Sequence, residues 1–302
     1  MMMAMTTPSM SSDAARRPAP DHRGPPASGA ALAGAPLGDA HFETIRQLVY
    51  RVAGINLTHG KEGLVRSRLA PRLRALGLDD FDAYLDHLDR DVSGAELVQL
   101  VDVITTNKTS FFREPEHFDL LQRVVLPPLA ERGGTARFWS AGCSSGEEPY
   151  TIAIVARELL GGSAADARIL ATDVSTRIMR RAREGVYHDR ELAGVPPAIM
   201  RRHFVNHPAV PGSLCVVDET RATVRFARLN LMHDWPMRGP FDAIFCRNVM
   251  IYFDRPTQQR LVNRFAALLA PGGYLFVGQS ESLTALTHDL QYVQPAVYRT
   301  PA

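Results

Sequence analysis

The chain has 302 residues, 45% of them hydrophobic and 22% charged, a soluble globular composition with room for one large or two ordinary domains. Its net charge of +2 excludes a strong non-specific pull toward nucleic acid or an anionic membrane surface, and no segment reaches the ~18 uninterrupted apolar residues of a membrane span. Cys143, Cys215 and Cys246, an odd number without C-x-x-C spacing, argue against a disulfide framework and a zinc site and for a reducing cytosol.

Residues 1–38 are Ala, Pro, Gly, Ser and Arg in no periodic order. Such a segment buries too little apolar surface to offset its ordering entropy, which predicts a disordered tail. It lacks the continuous apolar run of a signal peptide.

Residues 39–126 form a helical unit and linker. In "FETIRQLVYRVAGI", Phe42, Ile45, Leu48, Val49 and Val52 share one helical face and Gly54 ends it. "KEGLVRSRLAPRLRALGL", "FDAYLDHLDR" and "GAELVQLVDVIT" follow, broken at Asp79-Asp80 and Ser93-Gly94. Pro71 is expected to kink or split the second of these. Lys61, Arg68 and Arg72 recur at i, i+7, i+11 as a basic stripe, either a solvated face or a docking surface for an acidic partner. "TTNKTSFFREPEHF" then joins the two halves. Asn107 and Thr109 offer hydrogen bonds and Arg113 a charge just before the Pro115 helix start; helix capping and core plugging by Phe111 and Phe112 are the plainer reading.

From 127 to 302 the rhythm changes. "ARFWSAG", "ARILATD", "PFDAIFCRN" and "GGYLFVGQS" are short apolar runs alternating with helical segments at Glu148–Leu160, Arg177–Glu184 and Pro256–Leu269. That alternation predicts an α/β fold, a doubly wound and mostly parallel sheet with ligands at the strands' C-terminal edge. Residues 186–229 interrupt it. There "SLCVVDETRATVRFARL" reads as a hairpin about Asp218–Thr220, a small inserted β-subdomain.

In "FWSAGCSSGEEPY" the first strand ends at Phe138 and Trp139, small residues admit a ligand to the backbone, and a helix starts at Glu148-Pro149. A helix N-terminus attracts anions, yet Glu147 and Glu148 would repel phosphate, and no G-x-x-x-x-G-K-[ST] is present. The ligand should therefore donate hydrogen bonds or carry positive charge; S-adenosylmethionine fits. Asp173 ends "RILATD" where an acid accepts from ribose hydroxyls, or else caps "VSTRIMRRA". Arg247 and Asn248 end a buried strand on the same edge, either at the ligand or as a salt bridge and cap, with Tyr252 just beyond. Asn230 and Leu231 suit an adenine ring or a turn.

Taken in order, "TTNKTSFFRE", "WSAGCSSGEEPYTIA", "ATDVS" and "FDAIFCRNVMIYF" resemble the chemoreceptor glutamate methyltransferase family, CheR, over roughly residues 41–300. The resemblance implies a small all-α domain, then an S-adenosylmethionine-dependent methyltransferase domain carrying a small antiparallel β-subdomain. By it Asn107, Thr109, Arg113, Glu148, Asp173, Asn230, Leu231, Arg247 and Asn248 line the cofactor pocket, with Arg113 and Tyr252 nearest the transferred methyl and no metal. The expected activity is γ-methyl esterification of receptor glutamates, yielding S-adenosylhomocysteine, by a cytoplasmic monomer that docks on acidic receptor helices through Lys61, Arg68 and Arg72. Rival readings are a methyltransferase for another carboxylate and a cofactor-binding signalling module without turnover. Unlike the family's Gly-rich β-subdomain loop, which grips a receptor's C-terminal peptide, "HPAVPGS" has two prolines and little glycine.

Overall fold

The structure, a computed structural model, describes residues 36–161 and 165–302, so the tail expected at 1–38 falls outside it up to residue 35. Four helices come first: α1 (Asp39–Ala53), α2 (Glu62–Leu76), α3 (Phe81–Arg90) and α4 (Ala95–Ile104). The periodicity of α1 buries Phe42, Ile45, Val49 and Ala53, and Gly54 ends it at φ 71°, a left-handed conformation that costs glycine least. Asp80 caps α3 by accepting the Ala83 N–H at 2.8 Å. These faces share a core with Val65, Leu69 and Leu73 of α2. Pro71 does not split that helix: α2 runs unbroken from Glu62 to Leu76, with Pro71 on its exposed side and Val65, Leu69 and Leu73 anchored on the other.

Then come α5 (Pro115–Leu120), a π-helical turn (Leu121–Val125), α6 (Leu126–Arg132), β1 (Gly134–Ala141), α7 (Glu147–Leu160), β2 (Ala165–Asp173) and α8 (Thr176–Glu184). The boundary expected at 126 cuts this helical run. Phe118, Leu121, Leu126 and Leu129 pack against Phe138, Phe245 and Phe276 of the sheet, so α5 and α6 belong to the α/β unit. The first strand also continues past Trp139 to Ala141.

The remaining elements are β3 (Val186–His188), α9 (Pro197–His203), β4 (Phe204–Asn206), β5 (Ser213–Val216), α10 (Asp218–Arg221), β6 (Val224–Arg228), β7 (Phe241–Cys246), α11 (Arg255–Leu268), β8 (Leu269–Val277), β9 (Gln291–Gln294) and β10 (Val297–Arg299). The large sheet has the order β6-β2-β1-β7-β8-β10-β9, parallel through β8, with β10 antiparallel to both neighbours. Side chains alternate across it. Phe138, Phe245 and Phe276 face α5–α7, while Trp139, Ile244 and Leu275 face α11. Burial on both faces explains the unbroken apolar runs.

The hairpin expected about Asp218–Thr220 does not form. Serine 213 to Val216 pair antiparallel with β3 and β4, while Val224–Arg228 pair parallel with β2, so the two strands lie in different sheets joined by α10. Val224 and Phe226 pack, partly buried, against the clusters around Tyr150 and Met179. The small antiparallel sheet therefore closes at Val216, short of 229. Phe111 plugs its base, 4.9 Å from the Tyr187 ring and 5.4 Å from Phe204.

Candidate functional site: a cavity at the C-terminal strand edge

Strands β1, β2, β6 and β7 all end on one cavity of about 340 Å³. The N-terminal helical unit closes its outer side through Ala53, Ile55, Leu57 and Lys61. All ten residues predicted for the site line it: Asn107, Thr109, Arg113, Glu148, Asp173, Asn230, Leu231, Arg247, Asn248 and Tyr252.

The loop after β1 is built to approach β2. The Gly142 and Cys143 N–H groups both donate to the Thr172 carbonyl at 2.8 and 2.9 Å. Gly142 lies at φ 91°, and a Cβ there would meet Val249 Cγ2 at 2.3 Å. At this position glycine admits a neighbouring side chain as well as the turn. Ser144, at φ 50°, donates its N–H to Asp173 Oδ2 at 2.9 Å. Asp173 Oδ1 accepts the Ser175 N–H at 3.0 Å, and burial pushes its pKa up. Asp173 is not the cap of α8. Ser175 takes that role through the Ile178 N–H at 3.3 Å.

Glu147 and Glu148 are separated by the helical turn they begin. Glu147 accepts from the Ser145 hydroxyl at 2.6 Å, away from the cavity, whereas Glu148 faces it. Glu148 accepts from Ser140 Oγ at 2.7 Å and from Arg247 Nη1 at 3.0 Å; burial raises its pKa against the pull of Arg247. Arg247, with 2% of its side chain exposed, also pairs with Glu114 at 3.0 Å and bonds the Arg113 carbonyl. Burial opposes it, yet Arg247 holds the Glu114 carboxyl below its usual range. The salt-bridge reading of Arg247 thus holds, and the residue also lines the cavity. Glu114 was missed by sequence reasoning because its partner lies 133 residues away.

Asn230 is less free than expected. Its amide donates to the Val52 carbonyl at 2.6 Å and accepts the Met232 N–H at 3.0 Å, tying the strand end to α1, while Leu231 gives the cavity an apolar wall. Arg113 Nη1 donates to the Lys108 carbonyl at 2.7 Å, which fixes the guanidinium at the cavity. The Tyr252 carbonyl accepts the Asn56 N–H at 2.7 Å, and its ring packs on the helical core. Sequence reasoning also missed Glu281, buried in the turn after β8 and pushed up by burial.

Two of the three residues in the expected docking stripe are engaged inside the molecule. Arg72 forms a forked pair with the buried Glu96, and Arg68 donates to the Ile104 carbonyl and to Thr106 Oγ1. Lys61 alone of the three is exposed, at the cavity edge.

The donors and acceptors of the cavity suit a nucleoside with an amino acid arm. Asp173 and Glu148 supply acceptors for hydroxyl and ammonium groups. The Arg247 Nη atoms are engaged by Glu148, Glu114 and the Arg113 carbonyl, and its Nε is buried with no partner among the described residues. The doubly wound sheet with this edge is the architecture of an S-adenosylmethionine-dependent methyltransferase domain, and the family models match it as one. "CheR methyltransferase, SAM binding domain" matches residues 107–298, and "CheR methyltransferase, all-alpha domain" matches 40–105. A chemotaxis protein methyltransferase of Klebsiella aerogenes is 43% identical over 265 residues, 87% of this chain and 90% of that protein. Chemotaxis protein methyltransferase 2 of Pseudomonas aeruginosa is 44% identical over 259 residues, 85% of this chain and 91% of the relative. The Escherichia coli chemotaxis protein methyltransferase is 43% identical over 264 residues, 87% and 91% respectively. The chain belongs to the CheR methyltransferase family.

Replacing Asp173 by alanine should weaken S-adenosylhomocysteine binding by about 1–3 kcal/mol, as expected when a buried carboxylate's hydrogen bonds to a ligand are lost. Isothermal calorimetry measures this directly. An unchanged Kd would remove Asp173 from the ligand's contacts.

Proposed function

We propose that the protein works in chemotaxis, in the cytoplasm, transferring the methyl group of S-adenosylmethionine to glutamate side chains of chemoreceptors as γ-methyl esters. The observation that carries this reading is that neither a histidine nor an unengaged carboxylate stands at the cavity among the described residues. No histidine is among its described lining residues, and both of its carboxylates are engaged, Glu148 by Ser140 and Arg247 and Asp173 by two backbone N–H groups. A nucleophile that enters already ionised needs no proton removed by these groups. An exposed glutamate, with pKa ≈ 4.3, is a carboxylate at neutral pH.

S-adenosylmethionine supplies an electrophilic methyl group on a sulfonium. Asp173 and Glu148 would accept its hydrogen-bond donors and Leu231 would cover its base, with Arg247 holding Glu148 in place. Arg113 orients the incoming glutamate by charge-assisted hydrogen bonds. Tyr252 presents an aromatic ring with a hydroxyl beside the reacting groups. Holding the reactants in line is a proximity effect worth up to ~7–11 kcal/mol, so the residues need to move no proton. The homology to chemotaxis methyltransferases along nearly nine-tenths of the chain supports the receptor as substrate.

The test is release of base-labile methyl groups from receptor cytoplasmic fragments incubated with labelled S-adenosylmethionine. Labelling of other carboxylates alone would redirect the substrate; cofactor binding with no labelling would make the protein a binding module.

Docking narrows to Lys61. Lys61→Glu should raise the receptor KM on the order of three- to tenfold at low salt, an effect that shrinks as salt screens exposed charges. Arg72→Glu should instead lower the unfolding midpoint, because it leaves Glu96, 3% exposed, buried and unpaired. An unchanged KM in Lys61→Glu at low salt would make this helix a solvated face.

A further inference from the structure

The turn from Arg247 to Tyr252 carries five residues that line the cavity, Arg247, Asn248, Val249, Ile251 and Tyr252, and it is held from behind by a carboxylate outside the lining. Glu281, 6% exposed, follows β8 in a turn closed by its own N–H on the Gly278 carbonyl at 2.8 Å. Its Oε2 accepts the Asn248 N–H at 2.7 Å and the Gly278 N–H at 2.6 Å; its Oε1 accepts the Ile251 N–H at 3.0 Å. Among the described residues no Lys, Arg or His pairs with it, so its charge rests on backbone donors.

The turn it holds is tightly seated. Asn248 has φ 57°, a left-handed conformation that Asn adopts more readily than other non-glycine residues. A Cβ on Gly278 would lie 2.6 Å from Asn248 Nδ2 and 2.9 Å from its backbone N, so the two segments meet at a distance only glycine allows. The two carboxylate oxygens divide the work. One grips the Asn248 end, beside Arg247 and the cofactor edge; the other grips Ile251, next to Tyr252.

We propose that Glu281 is a positioning residue for methyl transfer, its Oε2 setting Arg247 and Asn248 and its Oε1 setting Tyr252. This deepens the receptor-glutamate reading and rests on it for the substrate used. The division makes two substitutions act differently. Glu281→Gln keeps one carbonyl oxygen for Gly278 and Asn248 but turns an amide donor against the Ile251 N–H. It should lower the single-turnover methylation rate of a receptor cytoplasmic fragment about tenfold, with S-adenosylhomocysteine affinity held within about twofold. Glu281→Ala releases both ends and should weaken that affinity about fivefold or more as well as the rate.

Both variants and the wild-type full chain are compared by calorimetry with S-adenosylhomocysteine, by single-turnover labelling and by unfolding midpoint. A Gln variant with wild-type rate, or with rate and affinity falling by one common factor, overturns the proposal. If Glu281→Ala does not fold, the Gln variant's split between rate and affinity decides alone. The binding comparison needs no receptor, so equal affinity in all three proteins overturns the assignment even where wild-type labelling fails and the receptor reading falls.

Discussion

Arg247→Ala is expected to destabilise the protein by about 3–5 kcal/mol, the usual effect of removing one partner from a buried ion network. Arg247 pairs with both Glu114 and Glu148, whose side chains are 12% and 11% exposed. Its guanidinium also lies 5.4 Å over the Phe118 ring. Without it, both acids remain in a low-dielectric wall, and burial already drives the Glu148 pKa up. Arg247→Lys should recover little, because a single ammonium cannot span both carboxylates and the Arg113 carbonyl as a fork does. Adding Glu114→Gln and Glu148→Gln to Arg247→Ala should restore part of the stability by removing the stranded charges. Equilibrium unfolding in urea measures each difference. A loss below about 1 kcal/mol would mean that water reaches these groups and that the network is not buried in solution.

That network also marks where the sequence stopped being readable. Arg247 and Glu148 could be found because each ends or begins an element, where an abrupt polar residue after an apolar run is a local signal. Glu114 and Glu281 have no such signal. Each gains its role from a partner brought near only by folding, 133 residues away for Glu114 and 33 for Glu281. The choice of Glu148 over Glu147 rested on the family resemblance and not on spacing: adjacent helical residues point about 100° apart, and the position of Ser140 and Arg247 shows that Glu148 faces the cavity.

The fold divides in the same way. Phe42, Ile45 and Val49 reveal α1 because one helix face meets one core, and the inner strands show as apolar runs because both faces are covered. Val224–Arg228 shows that it is a strand but not which strand it joins. A short connection through Asp218–Thr220 favours a hairpin on local grounds, and the pairing with β2 is a long-range choice. The C-terminal β9 is short, polar and exposed at the sheet edge, and left no pattern at all. The docking stripe was legible only in part for a related reason. Spacing placed Lys61, Arg68 and Arg72 on one face, but it could not show that Glu96 and the Ile104 carbonyl lie under that face.

Methyl transfer itself should separate Arg113 from Tyr252. A carboxylate nucleophile needs no base, so the single-turnover rate should be flat between roughly pH 6.5 and 8.5. Arg113→Ala removes the charge that orients the glutamate and opens the cavity wall tethered to Lys108; kcat/KM for the receptor should fall on the order of 100-fold or more. Cofactor affinity should fall too, because the Arg113 side chain lines the same cavity as Asp173 and Glu148. Tyr252→Phe keeps the ring that packs on the helical core and the carbonyl that accepts the Asn56 N–H, so S-adenosylhomocysteine affinity should hold. Its kcat should drop about tenfold with little change in KM, the pattern of an interaction made chiefly in the transition state. Rate and binding measured together on both variants decide between the roles. Wild-type turnover in both would place the reacting groups elsewhere in the cavity, and a rate rising tenfold per pH unit near neutrality would mean that a base is required after all.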